Sequence, residues 1–465
     1  MLDYEVGEVK VGSAHGAPRV WMEGMKLARA GFMPGTKYAI EVAGVRVVLR
    51  IAESGERSVS LKRRGEAELP VIDLNSAKAL GVFDGLERIR VIVRANEITL
   101  LPLATQVKAR ERLARITNKM RRGEPLTVGS LCHGGGTTSF AVETGMAEAG
   151  VPTRLAFAAD IDPDVLHHAQ ANNPVWRTDT AAIAAPMQEM VADNWLLSSL
   201  GRMDILEAGI PCVAASLAGR AKKGLDMAEA DPNAGHLVVA FLGLVEAFQP
   251  AVVVVENVPP YQNTASAHLI RNTLRDWGYT ISEAVLDAQD FGSIEARKRL
   301  ALVATTAGLA FDFETVRPSL AGGQHTLGDV LEDVPVDDPS WRAMDYLREK
   351  ELRDKEAGKG FRMQIADASS TKIGTVGAAY SKCRSTEVKV RHPIEGDALL
   401  RLLTPREHAR IKGVPESMIA GLPATRAHHL LGNGVSVQTF KALGRALGAM
   451  LALLRQQPQL ALAAA

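Results

Sequence analysis

Polar and apolar residues alternate over short stretches in the first hundred positions. Residues 88–94 alternate arginine with isoleucine and valine, the two-residue period of a half-buried strand. Residues 38–42 and 45–51 are rich in β-forming side chains and are separated by Ala-Gly. This pattern predicts a small β-barrel or meander over residues 1–103.

A helical period replaces the alternation at residue 104. Ala109, Leu113, Ile116 and Met120 fall on one stripe of a segment that is otherwise basic. Residues 104–125 are therefore expected to form a helical connector that packs by this stripe.

From residue 126 onward, short apolar strands alternate with helical segments. Such alternation favours an α/β fold, with a mostly parallel sheet covered by helices on both faces. The expected strands include residues 127–131, 154–159, 203–206, 251–255 and 298–304. We assign residues 126–309 to a catalytic domain of this kind.

The rhythm is lost between residues 310 and 400, which are rich in charged residues, glycine and serine. We expect a second, irregular domain there. Helical periodicity returns in residues 401–465, most clearly over 436–454. That last segment is expected to rejoin the catalytic domain.

Composition narrows the class of protein. The chain has 465 residues, 46% hydrophobic and 23% charged, which indicates a globular protein of two or three domains. The longest apolar runs are too short to span a bilayer, and the start does not resemble a secretory signal. Three widely spaced cysteines suit a reducing compartment and lack metal-ligand spacing. We expect a cytoplasmic protein with no membrane segment and no metal.

The net charge of +1 conceals an asymmetry. Residues 1–125 hold 22 Lys and Arg against 15 Asp and Glu, and the remainder holds 32 against 38. A basic end suits an accessory that binds a polyanion, whereas a solvated basic surface is the alternative interpretation.

Three acids follow a glycine turn in chain order. The first strand of the α/β region runs into Gly134-Gly135-Gly136, where backbone can approach a ligand closely. Asp160 is at the tip of the next strand, where a carboxylate can accept both hydroxyls of a ribose. Asp162 is expected to cap a helix that starts at Pro163, and Asp179 is expected at a further strand end. The order predicts a site for an adenosyl-containing ligand.

A cysteine and a glutamate end two later strands. Pro211-Cys212 follows one buried strand, and Glu256 emerges from four consecutive valines at the end of another. Carboxyl ends of strands are where α/β sheets bind ligands. Burial would raise the pKa of Glu256 and make it a hydrogen-bonding or proton-donating group. The pair predicts a nucleophilic sulfur beside a carboxyl.

Basic residues flank this pair. The segment after Cys212 is polar, flexible and basic, as a loop over a phosphate backbone should be. Arg297 and Arg299 are two apart on a predicted strand and so point to one face, where they can hold a carboxylate or a phosphate. Downstream, Thr404 and Glu407 form a capping box, and Gly413 is expected to end that helix.

Taken in order, these motifs resemble the C5-cytosine DNA methyltransferase family. The resemblance covers residues 126–306 and 400–450 and includes six or more ordered motifs. It implies a Rossmann-like class I methyltransferase domain, with residues 310–400 in the position of the target-recognition domain. It also implies S-adenosylmethionine as cofactor, double-stranded DNA as partner, and the setting of a restriction–modification system, a phage or a chromosome. We expect the enzyme to act as a monomer.

The resemblance also assigns roles to residues. Cys212 is the nucleophile, Glu256 contacts the cytosine ring, and Arg297 and Arg299 assist. The residues implied for the cofactor are Leu131, Gly134, Gly135, Gly136, Asp160, Ile161, Asp179, Pro211, Gly432 and Asn433. The residues implied for DNA contact are Ser216, Arg220, Lys222, Lys223 and Thr375, the last from the segment 373–375.

The chain departs from the family pattern at four positions. Leu131 and His133 replace a phenylalanine and a glycine of the cofactor turn, Glu295 replaces a glutamine before the arginines, and Leu430 replaces a glutamine before Gly-Asn. These changes affect the cofactor turn and the fine geometry of the arginines and leave the Cys212–Glu256 pair unaltered. At the other end of the chain, residues 20–35 resemble small β-barrel modules of the SymE type.

Two other functions fit the same residues. An RNA cytosine-5 methyltransferase would use the same scaffold, although a sizeable irregular domain suits a duplex better. A non-enzymatic DNA-binding regulator would rely on the basic N-terminal region, although Cys212, Glu256 and Arg297 are all retained. A modified sulfonium donor in place of S-adenosylmethionine also remains an alternative.

Overall fold

The computed structural model describes residues 4–14, 16–65, 67–211, 224, 226–232, 234–318 and 326–456. The chain divides into two compact units, one up to Ala114 and one from Arg115 onward. The division falls within the helix Ala104–Arg122.

The first unit is a nine-stranded antiparallel sheet in the part of the chain that is described. The strands are β1 Tyr4–Ala14, β2 Ala17–Glu23, β3 Lys37–Ala43, β4 Arg46–Ile51, β5 Arg57–Ser58, β6 Ser60–Arg64, β7 Ala67–Asn75, β8 Arg88–Arg94 and β9 Glu97–Pro102. Short helices Met25–Arg29 and Ala77–Leu80 accompany them. The strand order is β5-β3-β4-β9-β8-β1-β2-β7-β6.

The two edge strands of this sheet are neighbours in the sequence. Only Val59 separates β5 from β6, and its backbone bonds to Thr36 and Gly35 at 2.9 and 2.8 Å. The sheet therefore curls into a near-barrel around apolar side chains such as Phe32, Leu49 and Phe83. Strand β8 alternates buried and less buried residues, as its two-residue period predicts.

The helix Ala104–Arg122 begins at the predicted residue, and Ile116 and Met120 of its hydrophobic stripe are buried. It carries seven Lys and Arg, while residues 1–103 hold 15 Lys and Arg against 13 Asp and Glu. Most of the N-terminal basic excess thus belongs to this helix. Arg115 and Lys119 bind the buried carboxylate of Asp204 at 3.2 and 2.5 Å. Part of the excess is therefore used inside the protein and is not a surface for a polyanion.

The second unit is built on a seven-stranded sheet in the order β12-β11-β10-β13-β14-β16-β15. Its strands are β10 Leu126–Leu131, β11 Thr153–Asp160, β12 Ala181–Ala184, β13 Ile205–Gly209, β14 Val252–Asn257, β15 Tyr279–Asp287 and β16 Lys298–Thr306. The first five strands in chain order pair in parallel, and β15 and β16 pair antiparallel. The α/β class is confirmed, with a sheet that is mixed at one side.

Helices cover this sheet, and its strands are apolar almost throughout because both faces are buried. The helices described in the second unit are Thr137–Glu148, Pro163–Asn172, Met187–Ala192, Asn194–Leu200, Leu237–Phe248, Ala265–Asp276, Asp345–Glu356, Pro405–Lys412, Ala424–Asn433 and Val437–Ala452, and several of them cover the sheet. The core includes Phe157, Phe241, Phe248 and Val253, each with no exposed surface.

Two helix starts follow the predicted caps. Asp162 accepts bonds from the amides of Asp164 and Val165 ahead of Pro163. Thr404 and Glu407 form the expected capping box, and Gly413 ends that helix in the left-handed conformation at φ 68°. Local side-chain chemistry fixes these boundaries.

The irregular region contains a three-stranded sheet of β17 Gln364–Ala366, β18 Val388–His392 and β19 Gly396–Arg401. Its buried cluster, which includes Val376 and Tyr380, also includes Ile294, Leu403 and Ile411 from the flanking segments. The region therefore shares a core with the residues around it.

The C-terminal segment Val437–Gln456 has the length and mean hydropathy of a membrane-spanning helix, but 61% of that window is buried inside the protein. Helix Val437–Ala452 packs on helix Thr137–Glu148, with the position of a Gly444 Cβ only 2.2 Å from the carbonyl oxygen of Val142. Such close burial is typical of a core helix.

Candidate active site

Glu256 lies at the carboxyl end of β14, directly opposite Gly209 of the parallel strand β13. A Cβ at Gly209 would lie 3.7 Å from Oε2 of Glu256, so the carboxyl extends over this glycine. Its Oε1 accepts a hydrogen bond from Nε of Arg299 at 2.9 Å. The side chain of Glu256 is 14% exposed and that of Arg299 is 15% exposed. Burial raises the pKa of Glu256, and the charges of Arg299 and Arg297 only partly oppose this.

The end of β14 is tied to the chain that leads to Cys212. The side-chain Nδ2 of Asn257 donates to the carbonyl of Ile210 at 3.0 Å, and Asn257 is 1% exposed. Pro211 follows and is exposed. Cys212 itself lies outside the described residues. The bond from Asn257 holds the segment immediately before the cysteine beside the strand that carries Glu256.

Arg297 lies deeper than Arg299 and bonds to backbone. Its Nη2 donates to the carbonyls of Gly432 and Gly434 at 2.8 and 2.6 Å, and 2% of the residue is exposed. Burial and the neighbouring Arg299 lower the pKa of Arg297 to about 10, which leaves it charged at neutral pH. Arg299 is thus the arginine in contact with the Glu256 carboxyl, whereas Arg297 binds the backbone of residues 432–434.

Glu295 and Lys412 form an ion pair with no exposed surface beside Arg297. Lys412 Nζ lies 2.8 Å from Glu295, which also accepts the amide of Val376 at 2.9 Å. Burial alone would raise the pKa of Glu295, but Lys412 and Arg297 outweigh it and hold that pKa below the usual range. Sequence analysis gave Lys412 no role, because its partner is 117 residues away.

Asp160 and the glycine turn meet at the carboxyl ends of β10 and β11. Asp160 accepts the amide of Gly134 at 2.7 Å and the amide of Asp162 at 3.0 Å. Each carboxylate oxygen has two acceptor positions, so both can still accept a ligand hydroxyl. Ile161 is 73% exposed beside it and offers an apolar surface.

The turn itself is rigid and open on one side. Gly134 and Gly136 have φ of 54° and 71°, which glycine adopts without strain. A Cβ at Gly135 would lie 2.5 Å from the Leu430 side chain, whereas a Cβ at Gly134 would meet nothing within 4 Å. The open side at Gly134, the carboxylate and the exposed isoleucine together fit a nucleoside bearing a ribose.

Two residues assigned to the cofactor are placed elsewhere. Asp179 precedes β12 instead of ending a strand, and it pairs at 3.0 Å with Arg154 at the start of β11. Because Asp160 ends β11, the two acids lie at opposite ends of one strand. The expectation that Asp179 joins the turn is therefore wrong. Leu131 is 1% exposed within the hydrophobic core, which leaves almost no surface for a ligand.

Gly432 and Asn433 end the helix Ala424–Asn433, which packs against the turn through Leu430. Gly432 is buried, and a Cβ there would lie 2.1 Å from the backbone nitrogen of Ala378. Asn433 is exposed and its amide is 3.5 Å from His429. Gly434 approaches Thr137, the first residue of the helix after the turn.

Thr375 is exposed and lies beside the arginine segment. Its hydroxyl donates to the carbonyl of Ala296 at 2.6 Å, and Ile373 pairs with Glu295 in a parallel bridge. The other residues assigned to DNA, Ser216, Arg220, Lys222 and Lys223, lie outside the described residues.

The irregular region also has a basic groove of about 720 Å³. Buried Nη2 of Arg348 has no hydrogen-bond partner in the described structure. The groove lies along helix Asp345–Glu356 and the following turn, and Arg348, Glu351, Lys355, Lys359 and Arg362 contribute its charged side chains. Four cations against one acid make this groove suited to an anion.

Comparison with known proteins gives independent evidence for the family to which the chain belongs. A family model described as C-5 cytosine-specific DNA methylase matches residues 126–449. Type II methyltransferase M.NlaX of Neisseria lactamica is 30% identical over 325 residues, which is 67% of this chain and 93% of that protein. M.HpaII of Haemophilus parainfluenzae is 28% identical over 265 residues, covering 52% of this chain and 71% of its own.

Among solved structures, the S. pombe Dnmt2 methyltransferase matches with a TM-score of 0.54 and 17% identity. The match covers 71% of this chain and 98% of that one. At this identity it supports the fold alone.

Proposed function

The chain belongs to the C-5 cytosine-specific DNA methylase family, and on this premise we propose which of its residues transfer a methyl group to cytosine in DNA. The protein is a DNA (cytosine-5-)-methyltransferase related to Type II enzymes of restriction–modification systems. The observation that carries the residue assignment is the contact of Glu256 with Arg299. Glu256 lies opposite Gly209, and Gly209 precedes Cys212 by three residues.

In the proposed reaction the Cys212 thiolate forms a bond to C6 of cytosine. A hydrogen bond between Glu256 and N3 draws electrons toward the ring nitrogen, so C5 becomes enamine-like and nucleophilic. The raised pKa of Glu256 favours the protonated form that can donate this bond. Arg299 orients the carboxyl. After C5 gains the methyl group, loss of its proton and departure of the sulfur restore the aromatic ring.

S-Adenosylmethionine, when bound, supplies the methyl group as a substituent of a positively charged sulfur. Asp160 would accept the ribose hydroxyls, Ile161 would cover an apolar face, and the Gly134–Gly136 backbone would lie closest to the ligand. Gly432 and Asn433 contribute to the opposite wall through the helix that holds Leu430. Pro211 fixes the direction of the chain into Cys212.

The target base must leave the duplex before it reaches this site, at a cost of a few kcal/mol. Phosphate contacts offset that cost. We assign these contacts to the basic segment with Ser216, Arg220, Lys222 and Lys223, to Thr375, and to the groove that Arg348 lines. The enzyme would act as a monomer on double-stranded DNA in a prokaryotic cytoplasm.

Labelled methyl transfer to duplex DNA tests the assignment. Cys212→Ser should abolish transfer and preserve DNA binding, because a serine hydroxyl is not ionised at neutral pH and the base can still be flipped. The matched control is Cys383→Ser, since Cys383 lies in the irregular region beside Tyr346 and Met344 and should leave turnover unchanged. Equal turnover by the Cys212→Ser enzyme would refute the nucleophile, and transfer to transfer RNA alone would favour an RNA methyltransferase.

A further inference from the structure

A chain of buried hydrogen bonds lies beneath the glycine turn. Trp176 Nε1 is 3.2 Å from His133 Nε2, and His133 Nδ1 is 2.9 Å from the Ser130 hydroxyl. The hydroxyls of Ser130 and Ser139 are 3.1 Å apart, and Ser139 donates to Glu207 Oε2 at 2.7 Å. The methyl-transfer mechanism uses none of these side chains.

The direction of every bond follows from the donors available. Indole Nε1 only donates, so His133 Nε2 accepts and the proton of the neutral ring is on Nδ1. His133 therefore donates to Ser130. Ser139 has one hydroxyl hydrogen and gives it to Glu207, so the bond between the serines is donated by Ser130. The chain thus points in one direction, from Trp176 to the carboxylate of Glu207.

His133 connects this chain to the turn. The Gly136 amide donates to the His133 carbonyl at 2.8 Å. A Cβ at Gly136 would lie 2.4 Å from Nε2 of the imidazole, so the ring packs directly against the last glycine. Movement of the imidazole toward Gly136 would therefore press on the backbone that we assign to the cofactor.

Glu207 has surroundings that let it change charge. It is 1% exposed in the middle of β13, paired with Ser130 of β10 and Val254 of β14, and its Oε1 has no hydrogen-bond partner in the part that is described. Burial raises the pKa of Glu207 to about 7. Its ionisation therefore falls within the neutral range.

The titratable groups around it are Glu143 and His133, which burial keeps neutral, and the cation Arg177. From the helix Thr137–Glu148, Glu143 has a pKa raised to about 8 by its own burial and by Glu207. Burial lowers the pKa of His133, from the turn, to about 3. Arg177 acts on Glu143 and partly opposes its shift. The pKa of Glu143 is therefore higher than that of Glu207, so Glu207 ionises first as pH rises.

We propose that Glu207 is a positioning residue for the cofactor turn, and that its charge, transmitted through Ser139, Ser130 and His133, sets the affinity of the turn for S-adenosylmethionine. This inference rests on the proposed function, because it takes Gly134–Gly136 as the cofactor site. The ionised carboxylate requires the hydrogen of Ser139 and so fixes the direction of the whole chain. A protonated Glu207 can donate to Ser139, and Ser139 can then donate to Ser130, which removes that constraint and leaves Ser130 accepting from both Ser139 and His133.

The sign of the pH effect follows. Raising pH through about 7 ionises Glu207 and fixes the turn, so binding tightens as pH rises. We expect the dissociation constant for S-adenosylmethionine to rise about five- to tenfold from pH 8 to pH 6, the equivalent of about one hydrogen bond.

Calorimetric titration of the full-length protein with S-adenosylmethionine between pH 6 and pH 9 tests the inference. Glu207→Gln keeps the shape and removes the charge, so its affinity should be independent of pH and equal to the weak low-pH value. Ser139→Ala breaks the chain and should behave alike. In Glu143→Gln the dependence should persist with its midpoint little changed, because Glu207 ionises before Glu143 does.

A wild-type affinity that does not vary with pH, or a Glu207→Gln protein that retains the variation, overturns the inference and leaves the proposed function intact. Failure of the wild type to bind S-adenosylmethionine at any pH overturns the proposed function as well. Nitrogen-15 spectra of histidine at pH 8 give a second test on the unaltered protein. Protonated Nδ1 and bare Nε2 in His133 support the chain, and the opposite tautomer contradicts it.

Discussion

At the scale of single residues, the site depends on carboxyl groups that differ in burial. Glu256 forms an ion pair with Arg299, and burial raises the pKa of Glu256. Asp160 instead accepts hydrogen bonds from two backbone amides at the edge of the turn. In the proposed function the same functional group would serve as a donor to a base in one place and as an acceptor of hydroxyls in the other.

Asp160→Ala should raise the KM for S-adenosylmethionine by about tenfold or more, since the lost bonds to a charged acceptor are each of about 1.5–3 kcal/mol. The KM for DNA should change little. Initial rates at varied cofactor concentration measure the effect. Asp179→Ala is the matched control, because the structure pairs Asp179 with Arg154 at the far end of β11. A cofactor KM raised equally in both variants would contradict the placement.

Residue positions were predictable where local sequence defines them. The cap at Asp162 and the acid at the tip of β11 depend on neighbouring residues, and the structure places both as expected. Asp179 was misplaced because the short strand Ala181–Ala184 follows it, and a strand of three alanines and one isoleucine gives little periodic signal. Lys412 and Ser139 could not be recognised, because their partners are 117 and 68 positions away.

At the scale of elements, one connection joins three parts of the second unit. Gly432 contacts the backbone of Ala378 in the irregular region, its carbonyl accepts Arg297, and Gly434 contacts Thr137 after the turn. The approaches to Ala378 and Thr137 are possible only because no Cβ is present. The Gly-Asn-Gly sequence is therefore a packing requirement as well as a candidate part of the cofactor site.

Gly432→Ala should lower the free energy of unfolding by about 1–3 kcal/mol, because the new methyl group must displace backbone. Denaturant unfolding followed by circular dichroism measures the loss. Gly360→Ala is the control, since a Cβ there meets nothing within 4 Å. Equal stability of the two variants would show that the connection is looser than the structure indicates.

Element types were predictable over most of the chain, and their pairing was less so. The strand 298–304 was recognised by its apolar run, but its antiparallel direction depends on pairing with β14 and β15, which no local pattern encodes. Similarly, the three strands β17 to β19 are short and lie among charged residues. The sequence shows the excess of basic residues near the N-terminus. Only the folded structure shows that Arg115 and Lys119 pair with the buried Asp204.

At the scale of the whole molecule, the candidate site lies in the second unit, and the family match begins at residue 126. The near-barrel of residues 4–102 lies outside that match. Nothing in the proposed chemistry requires a side chain from it.

A chain of residues 104–465 should therefore retain methyl transfer to duplex DNA. A chain of residues 126–465 should be destabilised by about 3–5 kcal/mol, since it leaves the buried Asp204 without Arg115 and Lys119. Thermal unfolding and transfer assays on both chains distinguish the helix from the near-barrel. Loss of transfer in the longer chain would assign the near-barrel a part in catalysis.

The central claim is that the sulfur of Cys212 bonds transiently to cytosine beside Glu256. Incubation with S-adenosylmethionine and a duplex oligonucleotide containing 5-fluorocytosine should trap that bond, because fluorine cannot leave as the C5 proton does. Peptide mass spectrometry should find the oligonucleotide on Cys212. Methyl transfer to ordinary duplex DNA by a protein that is never captured at Cys212 would contradict the account.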